Sequence, residues 1–178
     1  MGRAHTTLHR APLAGVVALG PVVAGLLASA SPAAAAASPS GPHRAAARQV
    51  DARLSARGSS LLGRINAVRR AHHLSTVRLD PRLASSAQAW SETMARGQNL
   101  WHDLARLHRL DDQTREASLR ETLARVPTGM RGTAAITTQG WLGSASHRAD
   151  ILAPGMHRAG VGIVARDGQY YITLDIGS

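Results

Sequence analysis

The sequence predicts a layered α+β domain over residues 58–178. Three observations carry that reading. Apolar residues recur at helical spacing in two segments near 61–68 and 83–94, two alternating runs flank Asp167-Gly168, and a further helical segment near 133–142 lies between strands. No internal repeat is present.

In "SSLLGRINAVRRAHHL", Leu61, Ile65 and Val68 share one face with Leu62 at its edge, and Ser59 or Ser60 can cap the start. "RLDPRLASSAQAWSETMARGQ" is the stronger helix. Asp80 is a candidate N-cap, Pro81 suits the first helical position, Leu83, Ala87, Trp90 and Met94 form one stripe, and Gly97 ends it. "NLWHDLARLHRLDDQTREASLR" carries no single periodicity and reads as irregular chain with short helical turns. "ETLARV" alternates and runs into Pro127, Gly129 and Gly132, so it reads as a short strand leading to a loop. "TAAITTQGWL" predicts a helix ended by Gly143, after which Ser146 can cap another turn from His147. The closing "RAGVGIVARDGQYYITLDIG" predicts a β-hairpin turning at Asp167-Gly168.

Residues 1–37 have the layout of a signal peptide: a basic start, an apolar run from Ala11 to Ala28, then Ala-x-Ala sites, with cleavage expected near Ala35 to Ala37. Gly15, Gly20, Pro21 and Gly25 interrupt the run and no polybasic flank follows, which argues against a permanent membrane span. Residues 38–57 read as a flexible leader rich in small residues. The remaining length suits one domain, expected to be a monomer.

The 178 residues contain no Cys, which excludes thiolate chemistry and sulfur-ligated metals. The formal charge is +10, and all 21 basic residues are Arg. These are scattered, with few aromatics to stack bases, so a specific nucleic-acid partner is not expected. Loose association with acidic wall polymers or lipid headgroups follows from charge alone.

Three side chains stand out chemically. His147 lies near a helix start behind the small residues Ser144, Ala145 and Ser146, His102 lies beside Trp101, and Glu121 opens the strand "ETLARV". Were they to meet, they would supply two nitrogen ligands and one oxygen for a divalent metal such as Zn²⁺, or two imidazoles with a carboxylate fixing one ring. Taken singly, each also has an ordinary structural explanation: a packed or capped imidazole, or a solvated carboxylate. With nine His in the chain, spacing alone does not show that the three converge.

"INAVRRAHHLSTVRLDPRLASSAQAWSETMA" resembles the opening of the CAP superfamily (cysteine-rich secretory proteins, antigen 5 and pathogenesis-related 1). Bacterial extracellular members of that family carry I-N-x-x-R, then L-x-x-D-x-x-L and an Ala-rich helix. The matches are Ile65, Asn66 and Arg69, then Val77, Asp80 and Leu83, then Ala84 and Ala87. "WLGSASHRADIL" is similar to W-x-x-S-x-x-H-R-x-N-I-L at Trp141, Ser144, His147, Arg148, Ile151 and Leu152, with Asp150 in place of Asn. "AGVGIV" and "YYITLDIG" resemble the closing G-V-G strand and its partner, so the likeness spans residues 59 to 178.

The resemblance implies a three-layer α-β-α sandwich with a small antiparallel sheet. It places the family's two cavity His on His102 and His147 and the Glu of G-E-N-[IV] on Glu121, with Arg120 and Thr122 replacing the Gly and Asn. A second cavity acid has no clear counterpart, Gln139 being the nearest by position. The implied function is a secreted or wall-associated binding module whose cleft holds a metal ion or a lipid or wall-derived ligand. The alternatives are a metal-assisted hydrolase or peptidase, and a charge-driven binder of anionic wall polymers. Three protein ligands would leave no spare carboxylate as a general base, which weighs against hydrolysis.

Overall fold

The computed structural model describes residues 42–114 and 118–178, with side chains from 48 onward. The signal peptide expected at 1–37 and the first leader residues lie outside these. Among the described residues five helices and four strands follow in the order α1 (Pro42–Ala71), β1 (Arg78–Leu79), α2 (Pro81–Gly97), α3 (Leu104–Thr114), β2 (Leu119–Pro127), α4 (Thr133–Gly143), α5 (Ala145–Ile151), β3 (Arg158–Arg166) and β4 (Gln169–Gly177). The architecture is α+β, as the sequence predicts.

The sheet order is β1-β3-β4-β2. β3 and β4 form the expected hairpin, with Asp167 (φ 48°) and Gly168 (φ 73°) both left-handed, the conformation a tight two-residue turn demands. β2 pairs with β4 antiparallel along its whole length. The sheet is not wholly antiparallel, because β1 pairs with β3 in parallel over two residues.

Alternation along the strands supplies one layer to each face. Tyr170, Ile172, Leu174 and Ile176 of β4 join Leu61, Ile65, Trp141, Ile151 and Ile163 in the larger core under α1, α4 and α5. Tyr171 and Leu123 pack with Trp90, Met94 and Ala95 of α2 in a smaller cluster. Between α2 and β3 the backbones touch: a Cβ on Gly160 would fall 2.0 Å from the Leu83 carbonyl carbon, and one on Gly162 would fall 2.2 Å from the Ala87 oxygen. The Gly-Val-Gly sequence is therefore a steric requirement of laying a helix directly on the strand. Beyond Ala159, β3 has no strand on its outer side among the described residues, and Gln88 of α2 accepts the Ile163 N–H there at 3.0 Å.

Asp80 caps α2, accepting from the N–H groups of Arg82 (2.8 Å) and Leu83 (3.1 Å), and Leu83, Ala87, Trp90 and Met94 are buried as the stripe predicts. Gln98 (φ 52°), not Gly97, takes the left-handed position at the helix end. Two residues of the family-like motif weld α1 to the rest. Asn66 exchanges hydrogen bonds with both backbone groups of Val77 (2.9 and 2.8 Å). Fully buried Arg69 donates to the carbonyls of Ser75, Ile151, Ala153 and Met156, gathering the chain before β3 around one guanidinium.

Four local expectations are corrected. The leader expected at 38–57 is helical from Pro42, because Leu54 packs against the larger core and the Arg57 guanidinium sits 5.0 Å from the Tyr170 ring centroid. Ser59 and Ser60 are then interior to α1 and cap nothing, Ser59 donating back to the Ser55 carbonyl at 3.1 Å. The segment read as irregular contains α3, whose mixed apolar pattern reflects a helix that buries only Leu110 and Thr114. Finally, α5 begins at Ala145 with Ser144 as its N-cap residue, so Ser146 lies inside it. Among the described residues no helix is long and apolar enough to cross a membrane.

Candidate functional site

The turn between α2 and α3 is fixed before it presents any chemistry. Trp90 Nε1 donates to the Trp101 carbonyl at 3.1 Å, and the Trp101 ring stands edge-on to Trp90 with centroids 5.1 Å apart. A Cβ on Gly97 would fall 3.1 Å from the Trp101 ring, so the indole rests on glycine. Asp103 then accepts the Arg106 N–H at 3.0 Å, starting α3. The result is an ordered step that places His102 and Arg106 over the end of the sheet.

On that sheet Glu121 of β2 lies directly opposite Asp175 of β4. Directly paired residues point to the same face, so two carboxylates stand side by side. His102 Nδ1 lies 2.7 Å from Glu121 Oε1, and Arg106 Nη2 donates to Glu121 Oε2. Arg106 also grips Asp175 with both terminal nitrogens, at 2.8 and 3.1 Å, and donates to Ser86 Oγ at 2.6 Å. Its guanidinium carbon is 5.5 Å from the Trp90 ring centroid, a cation-π contact that closes the site from the α2 side.

Burial sets the electrostatics. The Glu121 side chain is 1% exposed, whereas that of His102 is 47% exposed. Desolvation pushes the Glu121 carboxyl up to about 7; Arg106 pulls it down, Asp175 pushes it up again, and His102 favours the ionised form. Burial likewise raises Asp175 above the ordinary carboxylate range, against the hydrogen bonds and charge of Arg106. Burial alone would lower Arg106, but the two carboxylates outweigh it and hold the guanidinium above its ordinary value. With Glu121 ionised, the His102 N–H at Nδ1 donates to it, which leaves Nε2 as an acceptor on a side chain that is about half exposed.

The structure thus brings His102 and Glu121 into contact. His147 is half-buried on α5 and forms no hydrogen bond or ion pair with either. Among the described residues no group of three or more His, Asp and Glu side chains is arranged to hold a metal ion. Both oxygens of Glu121 already have partners, and the positive charge between the two acids is Arg106 itself. As a donor set, His102, Glu121 and His147 therefore do not fit a divalent ion. Gln139 is exposed on α4.

Sequence reasoning missed Arg106, Asp175 and Ser86. Asp175 was legible in principle: in "YYITLDIG" it shares a strand face with Tyr171 and Thr173, and a carboxylate at such a position is either solvated or paired. Arg106 was hidden because the helix that aims it was not recognised. The Arg120 and Asp150 departures from the family pattern meet each other, Arg120 Nη1 donating to Asp150 Oδ1 at 3.0 Å.

Comparisons with known proteins agree with this architecture. An outer surface protein of Borrelia burgdorferi aligns with 66% of the chain and 89% of its own length at 20% identity and a TM-score of 0.57. An extracellular SCP-domain protein of Bacillus anthracis aligns with 69% of the chain at 23% identity and a TM-score of 0.57, and a cysteine-rich secretory protein of Staphylococcus aureus with 69% at 18% identity and a TM-score of 0.55. The chain spans only 40% and 38% of those last two proteins, so the likeness is one of fold. Among curated proteins none matches the sequence significantly. The model of the cysteine-rich secretory protein (CAP) family matches residues 62–176, and the chain belongs to that family.

Proposed function

We propose that this CAP-domain protein is an exported binding module that uses the exposed edge of His102 to engage an amphipathic ligand, a lipid or a wall-derived fragment. The observation that carries the reading is Arg106 lying between Glu121 and Asp175. The acids are charge-compensated and fully engaged from within, so the network positions His102 and leaves its Nε2 for a partner. Apolar surface adjoins that nitrogen in sequence: Trp101 and Leu104 are among the large hydrophobic residues left exposed. Trp101 is held by Trp90 and Gly97, so ordering it on ligand binding costs little. Export is supported by the signal-like residues 1–37 and by the extracellular and outer-surface descriptions of the similar structures.

The test is titration of the purified protein with a fluorescent fatty acid and with solubilised peptidoglycan fragments. Saturable binding to one of them is expected, persisting in high salt and in chelator, and falling about tenfold in His102→Ala, the loss of one well-formed polar contact of about 1.4 kcal/mol. Binding that vanishes with salt and ignores His102 would favour the charge-driven polymer reading. Saturable Zn²⁺ uptake lost in both His102→Ala and His147→Ala would favour a metal site. Chelator-sensitive turnover of a peptide or ester substrate would favour the hydrolase.

A further inference from the structure

We infer that the pocket between α1 and the start of α4 binds a phosphate group through Arg57, Arg64 and Arg131. The pocket has a volume of about 460 Å³ and shares no residue with the His102 site. Arg57, Ser60 and Arg64 are spaced three and four residues apart on α1, so they share one helix face and line one wall. Arg131, in the turn after β2, lines the other. Every charged residue of the lining is an arginine, and no acid is among them.

Three like charges around one concavity repel one another, and an anion between them relieves that repulsion. Here Arg64 and Arg131 form no hydrogen bond or ion pair among the described residues. Arg57 is oriented over the Tyr170 ring and has only a long 3.4 Å contact with the Arg53 carbonyl. An anion entering the pocket would meet guanidinium groups whose forks are unspent, the geometry suited to paired phosphate oxygens.

A second, independent feature points the same way. Thr133, the first residue of α4, is only 7% exposed, lines the pocket, and its hydroxyl has no hydrogen-bond partner. The hydroxyl is not sealed from solvent, so it can turn to a ligand in the pocket by giving up a water. Behind it Gly132 (φ 72°) opens α4 with no side-chain cap, so the first amide donors of the helix add partial positive charge. The ligand class is a phosphate monoester or diester, whose source is either a soluble phosphate or a lipid headgroup.

The full chain is titrated with glycerol phosphate against sodium chloride of equal ionic strength, following heat of binding and melting temperature. Saturable binding and a rise in melting temperature are expected with glycerol phosphate alone. The Arg64→Gln/Arg131→Gln double variant should bind at least tenfold more weakly while keeping its circular dichroism, since neither side chain supports another residue. Thr133→Val should weaken binding several-fold. Vesicles of phosphatidylglycerol in phosphatidylcholine, set against pure phosphatidylcholine, separate the sources. Capture that glycerol phosphate displaces assigns a lipid headgroup, and glycerol phosphate binding without capture assigns a soluble phosphate. The same response to chloride, or unchanged binding in the double variant, overturns the site.

Discussion

Arg106 grips Asp175 with both terminal nitrogens, at 2.8 and 3.1 Å, from a helix that touches the sheet through little else. The pair is almost dry, the side chains being 12% and 0% exposed. Removing the cation leaves two neighbouring buried carboxylates to face each other without compensation. Arg106→Met should therefore cost about 3–5 kcal/mol of stability. Chemical denaturation reads this directly, and the loss should shrink at acid pH, where the carboxylates can protonate. A variant as stable as the parent at neutral pH would show that the network carries no such strain.

The buried acids also give stability a pH dependence of known sign. Glu121 holds its proton up to about 7 in the folded chain, against 4.5 ordinarily. Between those values the folded state binds more protons than the unfolded one, so this group's contribution is complete below 4.5 and is lost as pH rises through 7. Asp175, also raised, acts in the same direction. Melting temperature should fall from pH 5 to pH 8, and Glu121→Gln should flatten the slope. Equal slopes in parent and variant would contradict the assignment.

Thr122 is fully buried on β2, and its hydroxyl has no partner among the described residues. It stands where the family pattern has Asn, so the chain keeps a polar atom at this position without a bond to satisfy it. Thr122→Val removes the hydroxyl and conserves shape and strand preference. We expect a gain of roughly 1 kcal/mol, visible as a higher denaturation midpoint with an unchanged slope. A loss of stability would mean that the hydroxyl is satisfied in solution.

The elements legible in the sequence were those whose pattern matches what they bury. α2 buries Leu83, Ala87, Trp90 and Met94 on one stripe, and the hairpin turns on the residue pair its geometry demands. α3 was illegible because it is held by an Asp103 cap and by ion pairs of Arg106 rather than by an apolar face. The same cause hid the residue that ties the candidate site together. His102 and Glu121 could be named from motif positions, but the cation joining them to Asp175 lies on the unrecognised helix. α1 extended upstream of its apolar pattern because Leu54 and Arg57 find partners on elements far away in sequence, and local composition does not register such contacts.

Gln88 reaches from α2 to the outer margin of β3, beyond its pairing with β1, and occupies the Ile163 amide. A strand flank with free amides and carbonyls templates the addition of foreign chains and, in concentrated or partly unfolded protein, the growth of fibrillar aggregates. The glutamine blocks that templating at one rung, and it does so only while the helix stays seated on Gly160 and Gly162. Colloidal behaviour is thus tied to helix seating, so a bulkier residue at either glycine would render the protein self-adhesive as well as less stable.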